Sequence, residues 1–220
     1  MRPLKILRLW EHYLPRFLHG TQITLELTAA ALALAVVLGF ATALARMSRQ
    51  GWLRGLAAAY IEIIRATPVL VLIILAYYGL PEAGVVLPGF IAATGALGIF
   101  YATIYGEIFR GGIEGIGRGQ TEAAAALGLT GATTMRRVIL PQALTTILPP
   151  ATNALADLVK DTSLVVTIAV ADLMYHAYGA ASSTFLPMDM FVLAGIFYFA
   201  ICYLLSHVLR RWEFAYAQRH

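Results

Sequence analysis

The residues of this chain able to do chemistry are few, and several stand in apolar surroundings where charge is expensive. From Asn153 to Ser163 the sequence places Asp157, Lys160 and Asp161 within two helical turns, with Thr162 and Ser163 directly after them. On a helix, residues three and four apart share a face. Lys160 can receive a carboxylate while Asp157 or Asp161 receives an ammonium group or a cationic side chain, so the cluster suits a zwitterion. The same spacing lets Asp157, Lys160 and Asp161 satisfy one another, and both readings stand. Glu62 and Arg65 share a face in another apolar stretch, with Thr67 before Pro68, and Glu107 and Arg110 repeat the spacing in a third. An ionisable group near the middle of a bilayer costs roughly 2.5–3.5 kcal/mol, so each needs a partner or a wet cavity. Both pairs read first as ion pairs near helix ends, and Glu62, Arg65 and Thr67 remain candidates for touching a solute.

Other chemistries lack their parts. The only two lysines are Lys5 and Lys160, neither in the Gly-rich context of a phosphate-binding loop, so the chain has no nucleotide site of its own. The five histidines show no metal-ligand spacing, the single Cys202 allows no disulfide framework, and no nucleophile–base arrangement is defensible. No catalytic residue, metal or bound cofactor is expected.

The elements that must position these charges are membrane helices. Hydrophobic residues make up 60% of the 220 and charged residues 13%, against roughly 45–50% and about 25% in soluble domains, and mean hydropathy is +0.74. Soluble enzymes and nucleic-acid binders are excluded. Apolar stretches near the ~20 residues of a transmembrane helix predict five spans, at about 23–46, 57–80, 88–108, 140–160 and 190–209. Arginines follow the first, third and fifth spans, whereas little or no positive charge follows the second and fourth. The positive-inside rule then puts the N-terminus outside and the C-terminus inside. The fold class is an all-α membrane protein in one domain, 1–220, with 1–22 as an interfacial amphipathic segment carrying Arg2, Lys5, Arg8 and Arg16. A cleaved signal peptide is disfavoured, because the run from Ile23 is longer than a signal's apolar core. The uncharged piece 162–171 is too short to cross and reads as a half-length outer segment. Thr67-Pro68 and Pro149-Pro150 should kink their spans.

The loop 111–139, between the third and fourth spans, carries Glu122-Ala123-Ala124, then three residues, Gly128, nine residues, and Val138-Ile139-Leu140-Pro141. A short helix is expected, starting at Gln120 or Thr121 and ending at Gly128 in the left-handed conformation, with a second short helix over 131–138. The pair would make a compact knob of small side chains on the cytoplasmic face.

This spaced pattern resembles the loop signature of bacterial ABC importer permeases, with Val138 where the family has Ile. The resemblance implies a coupling helix in which Glu122, Ala123, Ala124 and Gly128, with Leu140 and Pro141 closing the motif, serve contact with an ATPase. Gly20-Thr21-Gln22-Ile23-Thr24-Leu25, Ile64-Arg65-Ala66-Thr67-Pro68, Glu107-Ile108-Phe109-Arg110-Gly111-Gly112-Ile113, Leu140-Pro141-Gln142-Ala143 and Lys160-Asp161-Thr162-Ser163-Leu164 are similar to the polar amino acid permeases, which import histidine, glutamine, glutamate, arginine and opines. Phe100, Tyr101, Thr103, Ile104 and Tyr105 depart from that group's smaller residues, so no individual ligand carries over. The type I importer architecture implied comprises two permease subunits, identical or homologous, in the bacterial inner membrane. A cytoplasmic ATPase dimer supplies ATP and Mg, and a periplasmic or lipid-anchored binding protein delivers the amino acid. The rival class is a proton-coupled secondary transporter or channel using Glu62, Glu107 or Asp157 as relays, which would leave the coupling knob without a role.

Overall fold

The computed structural model describes the backbone of residues 2–217 and the side chains of residues 10–214. The side chains of Arg2, Lys5 and Arg8, and the whole of Arg219 and His220, lie outside the described residues. Among those described, every regular element is helical. They are α1 (Arg2–Arg46), α2 (Gly51–Ala66), α3 (Val69–Ile74), α4 (Gly89–Glu114), α5 (Arg118–Ala126), α6 (Gly131–Thr134), α7 (Leu140–Asp161), α8 (Leu173–Thr184) and α9 (Pro187–Ala217).

Among the described residues three helices are long and apolar enough to cross a bilayer: α1 from Trp10 to Arg46, α4, and α9 from Pro187 to Phe214. A fourth crossing is available from α2 and the segment Val69–Ala83, which together pass the same test but are bent by 99°. The bend sits at the expected Thr67-Pro68. Thr67 is extended, with φ −97° and ψ 127°, because proline's ring excludes the helical conformation in the residue before it. The expected fifth crossing, α7, has the length, 22 residues or about 33 Å, but does not meet the same apolarity criterion. Its polar residues lie mostly along one exposed stripe, so composition alone does not mark it as a span. The helix continues through Pro149 and Pro150, at which a kink was expected.

Nor does the chain change element near residue 22. From Trp10 to Arg46 α1 is one helix of 37 residues, about 55 Å, longer than the ~30 Å hydrocarbon core it would cross.

The core forms around α4, against which α1 lies along much of its length. In lipid the apolar surfaces of two helices gain little by leaving solvent, so association rests on close van der Waals packing, which small residues allow. Here Gly39 faces Gly106. A Cβ on Gly39 would stand 3.0 Å from the Gly106 backbone nitrogen and 3.1 Å from the Ala102 carbonyl oxygen; one on Gly106 would stand 3.3 Å from the Gly39 oxygen. Ala31, Ala35, Ala43 and Ala102 continue the seam without solvent exposure. On another side of α4, a Cβ on Gly112 would stand 2.3 Å from the Ile147 side chain, which brings α7 equally close.

The seam yields a graded prediction. Gly39→Val would force two backbones apart, and overpacking of this kind costs about 1–3 kcal/mol. A drop in the detergent-solubilised melting temperature is expected. Gly95→Ala, whose added methyl meets nothing within 4 Å, should leave it unchanged or raise it through better helix propensity. Fluorescence-monitored thermal melts of both variants check the contrast.

Candidate functional sites at the two ends of α7

The loop after α4 folds into a capped knob. Its helix α5 begins at Arg118, two or three residues before the expected start at Gln120 or Thr121, and ends by the expected device. Gly128 adopts φ +73°, its N–H donates to the Ala125 carbonyl at 2.9 Å, and the Leu129 N–H donates to the Ala124 carbonyl at 3.1 Å. That pair of bonds is a Schellman cap, which satisfies carbonyls the helix end would otherwise leave open. Ala124 is buried at the base of the knob, whereas Glu122, Ala123 and Gly128 are exposed. Leu127 was not singled out from the sequence, yet it is 80% exposed, a large apolar side chain presented at the tip.

The second half of the loop corrects the expectation of a separate short helix over 131–138. Thr130 caps α6, its hydroxyl accepting from the Thr133 N–H, but α6 passes through a π-turn, Met135–Ile139, straight into α7. Leu140 and Pro141 form the first turn of α7, where proline's missing N–H does least harm. The Gln142 amide donates to the Val138 carbonyl at 2.9 Å and to the Gln120 side-chain oxygen at 3.3 Å. The knob is thus tied to α7 by a side-chain bond and to α4 by the short link 115–117.

At the other end of α7, Asn153, Asp157 and Lys160 are exposed on one face, at spacings of four and three. The Lys160 ammonium donates to Asp157 Oδ1 at 2.6 Å, with both side chains about 60% exposed. An exposed pair of this kind contributes about 0–1 kcal/mol and separates readily. Asp161 takes no part in it. The half-buried Asp161 accepts at 2.8 Å from the hydroxyl of Tyr101, a fully buried side chain of α4. Ser163 is half-buried, and Thr162 turns into the core, its hydroxyl bonded to the Val159 carbonyl. Beside this stripe runs α9, which lines a groove of about 280 Å³ with Cys202, Tyr203 and His207. The Cys202 thiol lies 3.9 Å from the Ala156 carbonyl oxygen, and Thr152 donates to the Glu213 carboxylate.

Sequence reasoning missed two residues here. Tyr101 registered only as bulk, and its role depends on a partner 60 positions away. Asp172 was passed over, although an acidic residue just before an apolar helix is an N-cap signal. It caps α8 by accepting from the Tyr175 N–H at 2.8 Å and also accepts from the Tyr198 hydroxyl at 3.2 Å. It lies between helices, in the short segment joining α7 to α8, and burial pushes its carboxyl up to about 6. The Leu173 N–H donates to the Thr24 hydroxyl at 3.2 Å, while a Cβ on Gly20 would stand 2.9 Å from the Asp172 carbonyl oxygen. The Gly20…Thr24 motif is therefore the seat on which α8 rests.

The two acid–arginine pairs behave differently. Glu107 accepts from Arg110 at 2.6 Å and lies 3.5 Å from Arg46 of α1, and Arg110 also meets Glu114 at 2.6 Å. Glu62 and Arg65, expected to pair, form no ion pair among the described residues. Both side chains are exposed, where the gain is too small to hold two flexible chains together. Thr67 donates to the Ile63 carbonyl at 3.0 Å, closing the helix end before the bend. Among the described residues no three His, Cys, Asp or Glu side chains gather to hold a metal ion.

Residues 35–213 match the family described as binding-protein-dependent transport system inner membrane component. Two bacterial relatives cover most of both chains. A probable glutamine ABC transporter permease protein of Bacillus subtilis is 39% identical over 190 residues, 86% of this chain and 88% of the relative. An octopine transport system permease protein of Rhizobium meliloti is 35% identical over 219 residues, 94% and 87% respectively. Among solved structures, a crystal structure of an amino acid ABC transporter with histidines superposes with a TM-score of 0.85 at 37% identity, covering 92% of this chain and 94% of that one. An inward-facing methionine ABC transporter shares the fold, with a TM-score of 0.77 at 22% identity and coverage of 91% and 96%.

The cap at Gly128 is open to direct measurement. Gly128→Val places a β-branched residue in the left-handed region, at a cost of about 1–2 kcal/mol. The amides of Gly128 and Leu129 should then exchange hydrogen faster, while Gly128→Asn, which tolerates that conformation, should retain most of the protection. Hydrogen-exchange mass spectrometry over 118–134 reads the difference.

Proposed function

The chain belongs to the family of binding-protein-dependent transport system inner membrane components, and from that premise we propose that it is the polar amino acid permease subunit of an ATP-driven importer in which α7 joins the coupling knob to the substrate path. The observation that carries this reading is the reach of one helix. The first turn of α7 holds the knob through Gln142 and Gln120, and its last turns present Asn153, Asp157, Lys160 and Asp161.

In this reading α5 faces the cytoplasm, the N-terminus lies outside and the C-terminus inside. An ATPase dimer, carrying ATP and Mg, receives the tip formed by Glu122, Ala123, Leu127 and Gly128. A second permease subunit, identical or homologous, completes the pathway, and a periplasmic or lipid-anchored binding protein supplies the amino acid. Closure of the ATPases on ATP moves the knob, and a knob tied to both α4 and α7 passes the displacement to both helices. Rigid capping matters because a frayed helix end would absorb the motion.

The substrate end follows from charge. The weak Lys160–Asp157 pair opens to give Lys160 to a carboxylate and Asp157 to an ammonium group. Asp161, held by Tyr101, keeps a fixed negative position for a polar or cationic group. Asn153 and Ser163 offer hydrogen bonds along the same route, whereas Thr162, Glu62, Arg65 and Thr67 are better explained as packing, interface and helix-end residues.

Uptake of radiolabelled amino acids by proteoliposomes containing the whole complex and its binding protein tests this. Lys160→Met or Asp161→Asn removes a charge-assisted bond worth about 1.5–3 kcal/mol, so substrate affinity should fall by about tenfold to a hundredfold. ATP hydrolysis stimulated by the binding protein should persist in these variants. Gly128→Val should do the reverse, lowering uptake per ATP hydrolysed with substrate affinity unchanged. Uptake driven by a proton gradient without ATP would instead establish the secondary-transporter class.

A further inference from the structure

A groove of about 600 Å³ separates α1 from α2 although only four residues, 47–50, join them. Its walls are single helical faces: Leu38, Ala41 and Ala45 on α1, Leu53, Ala57 and Tyr60 on α2. Each face covers eight positions, seven helical rises or about 10 Å. The alanines leave the space unfilled, and the helices splay over it instead of packing as α1 and α4 do. One end is closed, because the Tyr60 hydroxyl donates to the Ile99 carbonyl of α4 at 2.7 Å and pins α2 there. The other end opens at the α1–α2 turn, next to Ala45 and Leu53.

That open end is basic. Arg49 and Arg54 are exposed and form no ion pair among the described residues, while Arg46 is engaged by Glu107. No acidic residue occurs between Arg46 and Tyr60 to neutralise them. Trp52, 66% exposed, places an indole beside the arginines, and tryptophan concentrates at membrane–water interfaces. An apolar slot inside the membrane with uncompensated arginines at its mouth matches a molecule with an apolar tail and an anionic head.

We infer that the α1–α2 groove binds an anionic phospholipid, with an acyl chain between Ala41 and Ala57 and the phosphate at Arg49 and Arg54. The inference rests on the proposed function for the cytoplasmic leaflet and for the assembled transporter used in its test. Basic clusters at the ends of transmembrane helices attract anionic headgroups at about 1 kcal/mol per arginine. Occupancy would fix the spacing of α1 and α2, and hence the position of the bend at Thr67-Pro68 that α2 leads into.

The test uses the whole transporter in nanodiscs made from equal amounts of phosphatidylglycerol and phosphatidylcholine, released and weighed by native mass spectrometry. One phosphatidylglycerol retained per copy of this chain is expected, preferred about thirtyfold over phosphatidylcholine, as two arginines at that strength require. Arg49→Gln with Arg54→Gln, both at surface positions, should abolish the preference yet still retain a lipid. Ala41→Phe with Ala57→Phe should fill the groove and lose the lipid. Equal retention of the two lipids by the unaltered protein, or a preference unchanged in the arginine variant, would overturn the proposal. So would efficient cross-linking of Ala57→Cys to the second permease subunit, since protein would then cover the groove.

Discussion

The backbone contact between Gly39 and Gly106 is the constraint on which the other packing depends. It lets α1 lie directly against α4; α2, α3 and α7 then pack against one or both of these two, while α9 packs chiefly on α7 and α8. The second close approach, Gly112 against Ile147, brings α7 onto α4 by the same means. Gly20 brings α8 onto α1. In a bilayer, where apolar side chains are as well solvated by lipid as by protein, close approach of small residues is a main source of helix association. The three glycine contacts therefore fix the frame, and the larger apolar residues fill it.

Within that frame polar groups are handled in two ways. Several of those turned inward are satisfied: Asp172 by Tyr198 and the first turn of α8, Thr24 by the Leu173 N–H, Asp161 by Tyr101. Leaving any of them unpaired inside would cost about 1–3 kcal/mol, so these bonds also specify how the helices register. Those on the exposed stripe of α7 are left nearly free, since the single Lys160–Asp157 pair is weak. The contrast marks the stripe as the place where charge remains available to an outside molecule.

In the proposed cycle, motion at one end of α7 is felt at the other. A continuous helix of 22 residues, anchored to a rigid knob at its first turn and bearing the charges at its last, has the geometry for that. Elsewhere in the chain the regular hydrogen-bond ladder is interrupted at the bend at Thr67-Pro68 and at the π-turn Met135–Ile139 that leads into α7.

Local chemistry was legible in the sequence. The apolar runs, the Gly128 cap, the Thr67-Pro68 break and the Glu107–Arg110 pair depend on residues a few positions apart, and helical geometry alone brings those together. Tertiary structure decided the rest. It turned Thr162 inward and left Ser163 half-exposed, gave Asp161 to Tyr101 instead of Lys160, left Glu62 and Arg65 apart, ran α6 into α7, and exposed Leu127. Each of those outcomes depends on which face of a helix meets a neighbour distant in the chain. Local spacing cannot fix that, because it follows from where two backbones can approach most closely.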